Sequence, residues 1–286
     1  MKAALIGQGI SGSLTPDMHM AEARAQGFDY DYLRIDTETA PYTGQSLRAL
    51  LDRAADQGLA GVNVTHPYKS QAAEVMDDMS DTARLLGAVN TVLFQDGRRI
   101  GHNTDYVGYR SALRRGLPHA QITRCLLIGA GGAGSAVALA LIDQGTEVLF
   151  ILEQDRPKAE ELKGRLNVAR PRVIVNVVDV FAAVQSERLD GIVNATPMGM
   201  AAHPGMALDP TGLQPGSWVS DIVYFPRRTA LLARAEELRL RTMDGSGMAI
   251  FQAAAAFHLL TGRTASPNRM CEHFEKVAPK SKEVLA

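Results

Sequence analysis

The sequence predicts an α/β protein of two domains, a mixed α/β domain followed by a doubly wound parallel sheet. Three observations carry this reading. The chain has 286 residues, at or above the size where one hydrophobic core usually splits. Short β-rich runs alternate with helical patterns along most of it. A complete Gly-x-Gly-x-x-Gly pattern, Gly129 to Gly134, stands between an apolar strand and an alanine-rich helix. We expect the first domain at residues 1–110, completed by C-terminal helices at 244–286, and the second at 111–243.

The elements follow in order. Residues 2–6 read as a first strand ended by glycine, 18–26 as a helix, 31–35 as a strand, 46–56 as a helix and 61–64 as a strand. Asp96-Gly97, between Thr91-Val92-Leu93-Phe94 and Arg99-Ile100, tolerates positive φ, so a hairpin interrupts the alternation. Asp105 suits the N-cap of a helix over 106–113. A second series begins with a strand over 125–128, a helix over 134–144 stopped by Gly145, a strand over 147–152, and a helix opened by Asp155 and Pro157. Residues 173–177, 191–194 and 218–223 supply the further strands of a doubly wound sheet. A last helix over 248–260 follows Asp244-Gly245-Ser246-Gly247 and suits packing back on the first domain.

Composition narrows the function. Lys plus Arg number 30 against 31 for Asp plus Glu, which leaves no basic field for nucleic acid or an anionic membrane. The opening apolar run is too short for a signal peptide, and the long one over 126–142 holds glycines near its start, so we read neither a leader nor a transmembrane span. Cys125 and Cys271 are too few for a disulfide framework or a metal site and fit the cytoplasm. His19, His66 and His102 show no ligand spacing, so no metal is expected. The absence of a Gly-x-Ser-x-Gly elbow argues against a serine hydrolase.

The glycine run carries the clearest chemistry. Gly129 permits a tight turn, Gly131 lets backbone N–H groups approach a pyrophosphate, and Gly134 allows close helix packing, with Ala130, Gly132 and Ala133 completing the cradle. Glu153, about 20 residues on, suits the ribose 2'-hydroxyl of NAD. Glu153 and Asp155 would repel a 2'-phosphate, which Arg156 would soften, so NADP is the alternative cofactor. Lys69, just past a buried strand, reads as an active-site lysine or a solvated cation; Asp105 reads as an active-site carboxylate or a helix cap.

Over nearly its whole length the chain resembles the shikimate and quinate dehydrogenases. The resemblance rests on Ser13-Leu14-Thr15-Pro16-Asp17-Met18-His19, Asn63-Val64-Thr65-His66-Pro67-Tyr68-Lys69, Gly87-Ala88-Val89-Asn90-Thr91, Asn103-Thr104-Asp105, the glycine loop, Asn194-Ala195-Thr196-Pro197-Met198-Gly199-Met200, and Met248-Ala249-Ile250-Phe251-Gln252-Ala253. It implies a Rossmann domain, a small-molecule substrate (quinate or shikimate) and a monomer or homodimer. It puts Ser13 and Thr15 on the substrate carboxylate, Lys69 and Asp105 at the reacting centre, and Thr65, Asn90, Tyr224 and Gln252 around it. It also puts Thr196, Pro197, Met198 and Met200 at the nicotinamide. Two departures, Thr15 in place of the usual serine and Glu153-Gln154-Asp155 in place of Asn-Arg-Thr, look like the NAD-using quinate/shikimate branch. The rivals are an NADP-dependent biosynthetic shikimate dehydrogenase, a methylenetetrahydrofolate dehydrogenase, against which Ser13, Thr15 and Gln252 speak, and a ligand sensor of the same fold.

Overall fold

The computed structural model describes residues 1–277, so residues 278–286 of the expected C-terminal completion lie outside the described residues. Contacts divide the chain into two units, one of Met1–Thr104 with residues 250–277 and one of Asp105–Ala249.

The first unit runs β1 (Lys2–Gly7), α1 (Thr15–Ala25), β2 (Asp31–Asp36), α2 (Leu47–Asp56), β3 (Gly61–Val64), α3 (Lys69–Glu74), β4 (Asp78–Met79), α4 (Asp81–Leu86), β5 (Thr91–Gln95) and β6 (Arg98–His102). Its sheet has the order β2-β1-β3-β5-β6-β4. β1 is parallel to β2 and β3, whereas β5 runs antiparallel to β3 and β6. The β5–β6 hairpin turns at Asp96 and Gly97, both at positive φ, as a two-residue turn matched to strand twist requires. Leu47, Leu50, Leu51 and Ala54 recur at helical spacing on α2 and bury against Ile6, Val62, Val64 and Val92 of the sheet. α1 begins at Thr15, earlier than the expected 18, because Pro16 fits a first helical turn and cannot sit deeper.

The second unit runs α5 (Asp105–Gly116), β7 (Arg124–Ile128), α6 (Gly132–Ile142), β8 (Val148–Leu152), α7 (Arg156–Ala169), β9 (Ile174–Val178), a 3₁₀ turn (Phe181–Glu187), β10 (Gly191–Asn194), β11 (Trp218–Asp221), α8 (Ala230–Glu237) and β12 (Arg241–Met243). α9 (Ser246–Thr261) starts in this unit and continues into the first, where α10 (Pro267–Val277) also lies. α6 starts at Gly132, inside the glycine run, two residues before the expected 134. β11 stops at Asp221 rather than 223. The sheet is parallel throughout, in the order β9-β8-β7-β10-β11-β12, which is the doubly wound arrangement with its reversal between β7 and β10. Ligands of such sheets bind outside the carboxyl ends of the strands at that reversal. No helix among the described residues is long and apolar enough to cross a membrane.

Trp218 locks β11 against β10. It is fully buried on β11, its indole N–H donates to the Gln121 carbonyl at 2.7 Å, and its ring fills the space over Gly191. A Cβ on Gly191 would lie 2.1 Å from that ring. Gly191→Ala should therefore destabilise the protein by about 1–3 kcal/mol through overpacking. Urea unfolding checks this; an unchanged midpoint would show that the ring can move aside.

Candidate active site

In the first unit the strand register gathers the expected substrate residues at one sheet edge. β1 and β3 end side by side, β5 begins opposite the end of β3 with Thr91 facing Asn63, and β6 ends opposite Thr91 at His102. The segments that follow β1, β3 and β6, and the one that precedes β5, therefore emerge together. The first carries Ser13 and Thr15. Asp36 anchors its start by accepting from the N–H groups of Gly9 and Ile10 at 3.0 and 2.9 Å. Arg34 holds its end, donating to the Ser13 carbonyl at 2.9 Å and to Asp17 at 2.8 Å. The Ser13 hydroxyl accepts from the Thr15 N–H at 3.4 Å, so these two hydroxyl-bearing residues are neighbours at the start of α1.

Past β3, the Thr65 N–H donates to the Ile6 carbonyl at 2.9 Å, and a Cβ on Gly7 would lie 2.4 Å from the Thr65 methyl. Glycine at position 7 lets the two strand ends approach. Lys69 opens α3, and its carbonyl accepts from Val89 N–H at 2.8 Å, which ties it to the segment carrying Asn90. Asn90 is buried, accepts from Thr104 N–H at 2.8 Å and donates to the Thr104 hydroxyl at 2.9 Å. That hydroxyl reaches the Gln252 amide oxygen at 3.4 Å. Lys69, Asn90 and Gln252 are thereby linked through backbone and Thr104.

In the second unit the expected cofactor residues cluster at the carboxyl edge of the sheet. Gly129 turns the chain at φ +97°, and a Cβ there would lie 2.8 Å from the Thr196 methyl. A Cβ on Gly134 would lie 2.1 Å from the Gly129 carbonyl oxygen, so both glycines are required by the packing. Gly131 differs: a Cβ there would meet only the Lys158 ammonium, at 3.8 Å. No side chain caps α6, whose first amides, from Gly132 and Ala133 onward, suit a pyrophosphate. The residues present thus fit a dinucleotide.

Glu153, at the end of β8, accepts from Ala130 N–H at 2.8 Å and from Asp155 N–H at 3.1 Å. Asp155 caps α7 by accepting from Lys158 N–H. Arg156 is turned to Asp179 at 2.6 Å and Glu160 at 3.5 Å. Lys158 was not singled out from the sequence; its signal is a cation one turn into a helix that begins beside the glycine loop. Asp105 is buried at the start of α5, and Tyr224 follows β11. Among the described residues no group of three or more His, Cys, Asp or Glu is placed to hold a metal ion.

Thr196 to Met200 hang from a buried polar hub. Asn194 accepts from the Thr196 N–H and hydroxyl, and donates to the Met198 carbonyl at 3.0 Å and to Asp221 at 2.9 Å. Asp221 also accepts from Val223 N–H and the Thr229 hydroxyl. The stem of the loop is fixed, whereas Pro197, Met198 and Met200 are exposed.

Residues 5–92 match the family model for the shikimate dehydrogenase substrate binding domain. The chain is 47% identical to a quinate/shikimate dehydrogenase (NAD(+)) of Corynebacterium efficiens over 93% of this chain and 94% of that protein. It is 44% identical to a shikimate dehydrogenase (NADP(+)) of Pseudarthrobacter chlorophenolicus, covering 94% and 92% of the two chains. The solved structure of quinate dehydrogenase from Corynebacterium glutamicum in complex with NAD matches with a TM-score of 0.89 at 44% identity, covering 97% of this chain and 99% of that one.

Burial pushes the Asp221 carboxyl up to about 6, against the pull of its three hydrogen bonds. As pH rises from about 4 to about 6 the unfolded chain ionises first, so this group's contribution to stability falls, by about 3 kcal/mol in total. Asp221→Asn carries no such slope. Its stability relative to wild type should rise by up to that amount between about pH 4 and pH 7, read by urea unfolding at each pH. Parallel stability curves for the two proteins would remove Asp221 as the titrating group.

Proposed function

The chain belongs to the shikimate and quinate dehydrogenase family, and on that premise we propose that it transfers a hydride between NAD(H) and a ring secondary alcohol of quinate or shikimate. The corresponding ketones are 3-dehydroquinate and 3-dehydroshikimate. One observation supports NAD above the rest: the Glu153 carboxylate lies against the glycine loop, bonded to Ala130 N–H. A carboxylate there accepts from the ribose diol and repels a 2'-phosphate. Arg156, the cation that would soften that repulsion, is engaged by Asp179 and Glu160.

The nicotinamide, when bound, supplies the hydride acceptor, and the protein's own groups do the rest. Ser13 and Thr15 hold the substrate carboxylate. Thr65, Asn90, Gln252 and Tyr224 orient the ring. Lys69 takes the hydroxyl proton on the Nζ lone pair of its amine and returns it from the resulting ammonium in the reverse direction, and Asp105 orients that group. The loop from Thr196 to Met200 flanks the nicotinamide, while Gly129, Ala130, Gly131, Gly132 and Ala133 hold the pyrophosphate. The protein works in the cytoplasm, where its two free thiols, on Cys125 and Cys271, stay reduced, as a monomer or homodimer.

A second reading, NADP use, is favoured by Lys158, whose ammonium stands beside Gly131. Initial rates with quinate and shikimate, each with NAD and NADP, decide between the two. NAD should give the larger kcat/KM with both acids; a larger value with NADP would overturn the cofactor assignment, and no turnover with either acid would leave a ligand sensor.

Lys69→Ala should lower kcat by about 10²- to 10⁴-fold with substrate KM changed far less. A variant that keeps more than about half of wild-type kcat takes Lys69 out of the proton transfer.

A further inference from the structure

Asn90 and Gln252 end a longer chain of buried hydrogen bonds whose other members have no part in the chemistry above. Tyr32 on β2, Asn63 on β3 and Thr91 on β5 are 4%, 4% and 0% exposed. The Tyr32 hydroxyl donates to the Asn63 amide oxygen at 2.6 Å. The Asn63 amide nitrogen donates to the Asn90 carbonyl at 3.1 Å and to the Thr91 hydroxyl oxygen at 2.8 Å. The Thr91 hydroxyl donates onward to Asn90 Oδ1 at 3.1 Å.

Two backbone groups of fixed polarity set the direction of the links from Tyr32 to Asn90. The Asn90 carbonyl only accepts, which makes its partner on Asn63 the nitrogen and leaves Oδ1 for Tyr32. Burial raises the Tyr32 phenol well above its ordinary value, so it stays a donor. The Thr104 N–H only donates, which makes its partner on Asn90 the oxygen. That oxygen accepts from Thr104 N–H and the Thr91 hydroxyl. The Thr104 hydroxyl, which accepts from Asn90 Nδ2 at 2.9 Å, has two acceptors in reach of its own proton, Asn90 Oδ1 at 3.2 Å and the Gln252 oxygen at 3.4 Å.

We propose that Tyr32, Asn63 and Thr91 are positioning residues that hold the Asn90 amide in the one orientation its Thr104 N–H bond selects, so that Asn90 offers nitrogen rather than oxygen to a ligand rich in acceptor oxygens. This rests on the reading of Asn90 as a substrate group. The rings of His19 and Tyr30, 4.7 and 5.9 Å from that of Tyr32 between centroids, hold the phenol in place at the head of the chain.

The test is steady-state kinetics on the purified full chain with Thr91→Val, Thr91→Ser, Tyr32→Phe, the Tyr32→Phe/Thr91→Val double variant, and Asn90→Ala. Thr91→Val should raise substrate KM about tenfold, the scale of one buried hydrogen bond, with NAD KM unchanged. Thr91→Ser, which keeps the hydroxyl, should restore most of the loss. Tyr32→Phe should raise KM by a smaller factor and add little on top of Thr91→Val, whereas unconnected sites add. Wild-type KM in Thr91→Val, failure of Thr91→Ser to rescue, or full additivity overturns the proposal. If Thr91→Val does not fold, the near-isosteric Tyr32→Phe carries the test alone, and its wild-type KM is the overturning result. A normal substrate KM in Asn90→Ala would sink the underlying reading as well; a raised KM there with a normal one in Thr91→Val sinks this proposal only.

Discussion

A polar side chain buried without a partner costs about 1–3 kcal/mol, and the central strands of both sheets end in polar residues that are almost wholly inaccessible. In the first unit these are Asn63, Asn90, Thr91 and Thr104. In the second they are Asn194, Asp221 and Thr229. The members of each set bond one another across strands that lie side by side only in the observed register: Asn63 faces Thr91, and Asn194 faces Asp221. A slip of one residue would turn these side chains to the opposite face and leave them unpaired. Register and polar pairing therefore hold each other in place, and the loops that carry the candidate chemistry leave the sheets at positions this register fixes.

What the sequence made legible is what local rules govern. The turn at Gly129, the cap at Asp155, the hairpin at Asp96-Gly97 and the strands of the parallel sheet each follow from neighbours a few residues away. α3 and α4 have 6 residues each and β4 has 2, too short to show a period. α10, within the C-terminal helices expected at 244–286, opens by a local rule too: the Ser266 hydroxyl accepts from Arg269 N–H and Pro267 stands at the first helical position. The hydrogen-bonded chain behind Asn90 was not readable. Asn63 lies within a four-residue strand whose every residue is buried, and its side-chain partners Tyr32, Thr91 and Asn90 are 31, 28 and 27 residues away. Asp221 was hidden for the same reason, at the end of a strand whose interest is its neighbour's Asn194.

On the proposed reading, Glu153 is one carboxylate that serves fold and ligand at once. Its position at the end of β8 follows from parallel pairing with β7, whose own end is the glycine turn. Two backbone N–H groups, from Ala130 and Asp155, take part of its acceptor capacity and fix where the charge stands. A carboxylate offers about four acceptor positions, so capacity remains for a ribose diol. The same fixed charge sets the cost of a phosphate there. Arg156 cannot lower that cost without giving up Asp179 and Glu160, although exposed pairs of this kind are weak enough to exchange.

On the proposed reading, the two units back their functional groups differently, one through a buried chain of side chains and the other through a loop with exposed side chains. Asn90 is held through both ends of its amide, and the register behind it is continuous to β2. A donor so fixed rewards one arrangement of ligand oxygens and penalises others, because a missing acceptor leaves a buried N–H unpaired. The loop from Thr196 to Met200 is tied at its stem by Asn194 and Thr196, and further on by Gly199 N–H to the His203 carbonyl at 2.8 Å and Met200 N–H to the Pro197 carbonyl at 3.1 Å, yet it leaves the Met198 and Met200 side chains 38% and 42% exposed. Methionine side chains are flexible and apolar, suited to covering a flat ring without selecting its substituents. On the proposed reading, discrimination among hydroxylated acids belongs to the first unit, and to Asn90, whose orientation the buried chain holds.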